Sequence, residues 1–109
     1  MSKIDLLQGT LDLLILRVLS GGPQHGWGIA QRILVLSHDA LRGEEGALYP
    51  ALHRMERKGW IEAEWDQTEN NRRAKYYELT KSGRKQLEAG HDGWKRLTTV
   101  MAQVLDAPQ

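Results

Sequence analysis

Apolar and polar positions along this chain change their period several times, and each change marks an element. Over residues 11–19 apolar side chains fill nearly every position (Leu11, Leu13, Leu14, Ile15, Leu16, Val18, Leu19). This predicts a first helix over residues 10–19, capped by Thr10 and stopped by Gly21-Gly22-Pro23. A helix that is apolar almost all round has to be covered on more than one side, so a surface outside a single small domain is expected to cover it. Residues 26–36 predict a second helix with Ile29, Ile33 and either Leu34 or Leu36 turned inward. Residues 37–43 form a linker with a short strand expected around Leu41. In the next segment Leu48, Leu52 and Met55 recur at i, i+4 and i+7, one apolar stripe of a third helix. Its opposite face carries Tyr49, His53, Arg54 and Arg57. Pro50 is tolerated best in a first turn, which starts this helix near Gly46 with Glu44 and Glu45 beside its positive end. Lys58 and Gly59 are the expected last-turn cation and stop.

Past Gly59 the period becomes two. Ile61, Ala63 and Trp65 alternate with Glu62, Glu64 and Asp66, and Lys75, Tyr77 and Leu79 alternate with Tyr76 and Glu78. The polar stretch between, residues 67–73, holds Asn70-Asn71 and then Arg72 and Arg73, so a hairpin with a cationic tip is expected. Thr80 then caps a long helix over residues 80–105. Along it Leu87, Gly90, Trp94, Leu97, Met101 and Val104 step by three and four, as in a coiled-coil seam. Gly90 and Gly93 each weaken that helix by roughly 1 kcal/mol relative to alanine, so it depends on packing. Pairing with the first and last helices of a second copy would cover both apolar surfaces. A homodimer is therefore expected, through Leu14, Leu87, Gly90, Trp94, Leu97, Met101 and Val104; an antiparallel helical pair within a monomer is the alternative.

The expected fold class is mainly α with a small β-hairpin (α+β): a winged helix-turn-helix over residues 1–79, including the first helix, then a C-terminal dimerisation helix and short tail over residues 80–109. At 109 residues there is room for one modest core. A net charge of +1 creates no global field that would call for a polyanionic partner. Local charge is more informative: residues 53–85 hold nine Lys/Arg against six Asp/Glu, with Arg72, Arg73 and Lys75 clustered. The absence of cysteine excludes disulfides, thiolate metal sites and a cysteine nucleophile, and fits a reducing cytoplasm. Asp5, Gln8 and Asp12 interrupt the apolar N-terminal run, so neither a signal peptide nor a membrane span is expected and a cytoplasmic location is.

Catalytic chemistry finds no foothold. His25, His38, His53 and His91 show no ligand spacing, and Ser20, Ser37 and Ser82 lack a nucleophile-elbow context. Neither Gly21-Gly22 nor Gly26-Trp27-Gly28 fits a phosphate loop, and Glu62, Glu64 and Asp66 read as a solvated strand face. No catalytic residue, metal or cofactor is expected. A helix with a polar-basic face beside a basic-tipped hairpin is instead the outline of a winged helix that reads duplex DNA. The DNA-binding candidates are Tyr49, Pro50, His53, Arg54 and Arg57 on the helix, and Asn70, Asn71, Arg72, Arg73 and Lys75 on the wing. His53 and Arg54 remain alternatives for reading base edges, since either can donate to bases or to phosphate. A protein-interaction module is the competing class.

Three segments in this order, LLILRVLSGGPQHGWGIAQRI, GALYPALHRMERKGWIEAEW and NRRAKYYELTKSGRKQL, closely resemble the PadR family of bacterial transcriptional regulators. That resemblance implies a dimer whose winged helices bind an inverted-repeat operator, usually repressing a nearby promoter, with the C-terminal helix mediating dimerisation. HGWGIAQRI combined with ENNRRAKYY resembles a subgroup often encoded beside membrane-transporter components. Trp27 stands where many members have tyrosine, and Ala47 stands where Ser or Thr is common. The latter removes a hydroxyl, so Ala47 is not among the DNA candidates. Trp94 has two readings: packing in the seam, or, as in some multidrug-sensing PadR-like proteins, a flat wall for a small planar aromatic effector.

Overall fold

In a computed structural model of the chain, residues 8–41 and 45–109 are described. Arg42, Gly43 and Glu44, with the Glu44 helix-end placement and part of the linker, lie outside the described residues. The order is α1 (Gln8–Leu19), β1 (Gln24–His25), α2 (Gly26–Leu36), α3 (Glu45–Arg57), β2 (Ile61–Gln67), β3 (Arg73–Leu79) and α4 (Lys81–Leu105). The strands form an antiparallel sheet in the order β1-β3-β2. The α+β winged-helix class is as expected, but the hairpin gains a third strand, and Leu41 lies in a bend instead of a strand.

The core is built where three helices and the sheet base meet, with Leu87 of α4 packed against its edge. Leu11, Ile15, Leu16 and Leu19 of α1 pack with Ile29 and Ile33 of α2, Leu48, Ala51, Leu52 and Met55 of α3, and Ile61 and Tyr77 of the sheet. The i, i+4, i+7 stripe of α3 is therefore its buried face, with Ala51 added. In α2 Ile29 and Ile33 are buried as expected, with Ala30 packed beside them, while Leu34 is only partly buried and Leu36 is exposed. One expectation is corrected: α1 is covered mainly by its own chain. Leu14 and Val18 lean on the same core, and Leu13 meets α4 at Gly90. Thr10 lies inside α1 and does not cap it.

Two junctions fix how the elements follow one another. After α3, Gly59 takes a left-handed conformation (φ +77°). The Gly59 and Trp60 N–H groups donate back to the Glu56 and Met55 carbonyls, both at 3.0 Å, closing the helix end in a Schellman-type turn. Thr80 then ties α4 to that turn. Its N–H donates to the Trp60 carbonyl (3.1 Å), its hydroxyl donates to the Gly59 carbonyl (2.6 Å), and its oxygen accepts the Gly83 N–H (3.0 Å) as the N-cap. Gly83 is buried there, because a Cβ at this position would sit 2.0 Å from the Trp60 carbonyl oxygen. Beyond Gly90 the residues of α4 are exposed. Among the described residues no helix is long and apolar enough to cross a membrane.

Candidate nucleic-acid interface

Around α3, residues 48, 51, 52 and 55 face the core, which leaves Tyr49, Pro50, His53 and Arg57 together on the exposed side. Pro50 sits in the second turn, not the first, so α3 gives up one backbone bond there and keeps its helical course. Tyr49 is half exposed. Its ring lies across the start of α2 so closely that a Cβ on Gly26 would come within 2.7–3.0 Å of it. A side chain at position 26 would have to push the ring aside, so glycine there lets the tyrosine lie against the start of α2 with its outer side open.

Two basic residues grouped with this face lie elsewhere. Arg54 turns back to α1, where its guanidinium Nη2 is 2.5 Å from Asp12 Oδ1, with both side chains mostly buried. Helical geometry explains this. Position 54 lies 100° past His53, on the flank nearest α1, and the Asp12 carboxylate inside an apolar helix needs a donor. Lys75 likewise sits below the wing tip. It is opposite Trp65 in the register, and its ammonium is 3.2 Å from Glu56 of α3 and over the Tyr77 ring. Burial raises the Tyr77 phenol above its ordinary value of 10.0, with nearby Lys75 partly offsetting the rise.

The tip of the wing is a compact turn. The Thr68 N–H donates to the Arg72 carbonyl (2.7 Å), the Thr68 hydroxyl oxygen accepts the Arg72 N–H (3.2 Å), and Asn71 adopts φ 62°. Asparagine tolerates this conformation better than most residues. Asn70, Asn71, Arg72 and Arg73 are all exposed. Arg73 stacks its guanidinium 5.2 Å from the Trp65 ring, and Trp65 is itself exposed. Trp65, Thr68, Asp12 and Gly26 each touch a candidate residue, Arg73, Arg72, Arg54 and Tyr49 respectively, and the sequence reading passed over all four contacts. A lone carboxylate in an apolar helix was the legible signal for Asp12, whereas nothing local marked Gly26 as the seat of Tyr49.

Behind α3, a cavity of about 440 Å³ lies between α1 and α4. Trp60, Trp94, Leu97, Gly90 and Gly93 line it, together with the Asp12–Arg54 pair. Leu14 and Leu87, expected at a dimer interface, lean on the protomer's own core, whereas Trp94, Leu97, Met101 and Val104 are exposed. Among the described residues no group of three His, Cys, Asp or Glu side chains could hold a metal ion.

Comparison with known proteins places this geometry in context. The family model described as the transcriptional regulator PadR-like family matches residues 15–89. A PadR family transcription regulator from hypervirulent Clostridium difficile is 34% identical, with 87% of this chain and 97% of that chain covered at a TM-score of 0.74. A transcriptional regulator from Clostridium thermocellum is 26% identical over 88% of this chain and 93% of its own, with a TM-score of 0.80. A PadR-like transcriptional regulator from Bacillus cereus is also 26% identical, covering 94% and 97%, at 0.77.

Proposed function

This chain belongs to the PadR-like family of transcriptional regulators, and from that premise we propose that it is a dimeric repressor acting at an inverted-repeat operator. As a family member it is a DNA-binding regulator of transcription and not an enzyme. In the proposed complex Tyr49, Pro50, His53 and Arg57 enter the major groove, and Asn70, Asn71, Arg72 and Arg73 meet the adjacent minor groove or its phosphates. The division of labour follows the chain: residues 1–79 bind DNA and residues 80–109 dimerise.

The observation that carries this reading is the pairing of an open α3 face with an uncovered apolar end of α4. Trp94, Leu97, Val100, Met101, Val104 and Leu105 are all 45–72% exposed on one helix. Single exposed apolar residues are ordinary, but a run of this length marks an association surface. A second copy also satisfies the symmetry of an inverted repeat. Repression and a position beside transporter genes rest on the family resemblance. Titrating the protein against the promoter upstream of its own gene, with random duplex as competitor, tests the reading. Preferential binding with a stoichiometry of two chains per site is expected; equal affinity for both DNAs, or a monomer by sedimentation at micromolar concentration, refutes it.

A second reading concerns the cavity beside Trp94. Two indoles and two glycines leave a flat-walled space suited to a planar aromatic effector. If it takes one, such compounds quench Trp94 emission and loosen operator binding, and Trp94→Ala abolishes both responses. If a partner's side chains fill it instead, Trp94→Ala destabilises the dimer by roughly 3–5 kcal/mol per site and no compound quenches.

A further inference from the structure

Gly26 opens α2 directly after the short strand β1, and its backbone is held from both sides. Before it, Gln24 and His25 pair with Tyr77 and Tyr76 of β3. After it, the Gly28 N–H donates to His25 Nδ1 at 3.0 Å, the N-cap bond of α2, and the His25 ring meets Tyr76 edge-on at 5.2 Å. Against this fixed backbone lies the outer end of the Tyr49 ring. We infer that Gly26, itself buried, sets how well the protein tells its operator from other duplex by fixing the aim of Tyr49. The inference rests on the DNA-reading proposal above and adds to it a positioning residue on a second helix, outside the set that meets DNA.

A methyl at position 26 would lie 2.7 Å from Tyr49 Cε1, 2.9 Å from Oη and 3.0 Å from Cζ. Ordinary contact needs about 3.5 Å, so one side has to yield by roughly 0.5–1 Å. The backbone around Gly26 cannot withdraw without giving up its pairing to β3 or the histidine cap. The root of Tyr49 is equally fixed, because Leu48, Ala51 and Leu52 hold α3 in the core. What remains free is the ring. The crowded atoms are all the far end of that one side chain, which is 50% exposed, so it can swing outward at little cost to the fold. Gly83 is the contrasting case, where the crowding atom is backbone and a methyl costs stability. At Gly26 a methyl costs aim. The displaced edge carries the phenol oxygen, the ring's one hydrogen-bonding group. Recognition groups have to stay within about 0.5 Å of their productive place, and the expected displacement is that large. The same ring lies within electrostatic reach of the buried Tyr77 phenol, which is raised first by burial and then by Glu56 and Tyr49. Tyr49 therefore rests in a defined seat, and the missing side chain at position 26 is one wall of it.

The test is the ratio of operator to random-duplex affinity, which follows the aim of a base-reading side chain. Gly26→Ala should lower that ratio roughly tenfold per subunit, the loss of about one base contact. Affinity for random duplex and the slope of log affinity against log salt should stay at wild-type values, because no cation is removed. Melting should stay within a few degrees of wild type. Tyr49→Ala should lower the ratio to a similar degree, and Gly26→Ala added to it should lower it no further, since no ring remains to be displaced. A Gly26→Ala protein with the wild-type ratio, beside a Tyr49→Ala protein that has lost it, overturns the inference and leaves the repressor reading standing. Additive losses in the double variant overturn it as well, because Gly26 would then act by another route. So would a Gly26→Ala protein that melts far below wild type, since the backbone and not the ring would have given way. A Tyr49→Ala protein with full operator preference removes Tyr49 from the reading face and the inference with it. A wild type without operator preference would instead strike at the repressor reading itself.

Discussion

Gly83→Ala is the most diagnostic single change for how the DNA-binding unit is joined to the long helix. Alanine at an exposed helical position ordinarily stabilises by up to about 1 kcal/mol over glycine. At Gly83 the new methyl would lie 2.0 Å from the Trp60 carbonyl oxygen, a backbone atom held in place by the Gly59 turn. Ordinary carbon–oxygen contact needs about 3.4 Å, so the start of α4 has to withdraw by more than an ångström. Overpacking of this kind costs about 1–3 kcal/mol. Withdrawal also stretches the two bonds from Thr80 to the Gly59 and Trp60 carbonyls, about 1 kcal/mol each. Net of the helix-propensity gain, a loss of about 2–4 kcal/mol is expected, which for a chain of this size lowers Tm by roughly 8–16 °C. Gly93→Ala is the control within the protomer, since nothing lies within 4 Å of a Cβ there, so that any departure from the propensity gain reports an occupant of the cavity it lines. Thermal melts of both variants at one fixed protein concentration decide the matter. A Gly83→Ala protein as stable as Gly93→Ala would show that α4 is not anchored through this contact.

Four further outcomes follow from the same geometry. Asp12→Asn removes an anionic partner of a mostly buried Arg54 and should cost about 1–3 kcal/mol, read by urea denaturation; no change in midpoint would mean the pair contributes nothing. Leu97→Glu with Met101→Glu should yield a monomer by sedimentation whose far-ultraviolet dichroism still reports a folded α1, since that helix is covered within the protomer; loss of α1 would restore the idea that a partner covers it. His53→Ala should reduce operator preference by roughly 1–3 kcal/mol per base contact, while Arg72→Ala with Arg73→Ala lowers affinity for all duplexes, and identical uniform losses would place both at phosphates. Tyr77 has a phenol raised by burial, so the folded chain holds its proton more tightly than the unfolded chain does and stability falls as pH rises past about 10; Tyr77→Phe should flatten that fall, and an unchanged alkaline profile would refute the assignment.

What the sequence discloses and what it hides divide along the range of the interactions. The buried stripe of α3, the glycine stop at Gly59 and the Thr80 cap depend on neighbours within a few residues, and all three were legible. So was the hairpin, whose alternation survives as a register from Ile61↔Leu79 to Gln67↔Arg73. Strand β1 was not, because Gln24 and His25 carry no alternation of their own and become a strand only by pairing with Tyr77 and Tyr76. Coverage of α1 was misjudged for a related reason: an all-round apolar helix signals burial but does not say by which chain. Arg54 and Lys75 were misplaced because their partners lie 42 and 19 residues away.

Those two displaced cations bear on how the recognition helix is held. Arg54 binds Asp12 of α1 on one flank of α3, and Glu56 binds Lys75 of β3 on the other. The two ion pairs brace the helix against the core's two sides, with Tyr49, Pro50, His53 and Arg57 exposed in between. Residues that look most suited to grip DNA by charge alone are thus engaged within the protomer, and in the proposed complex a tyrosine, a proline, a histidine and one arginine are the ones that meet the duplex. The first brace also lines the cavity that contains Trp94. Any occupant of that space, whether a partner's side chain or a flat effector, therefore abuts a carboxylate one contact away from the recognition helix. In the proposed dimer, coupling between the exposed end of α4 and the open face of α3 needs no longer path than α1, Asp12 and Arg54. If that path operates, Asp12→Asn should blunt any effect of an occupant on operator affinity even where the occupant still binds.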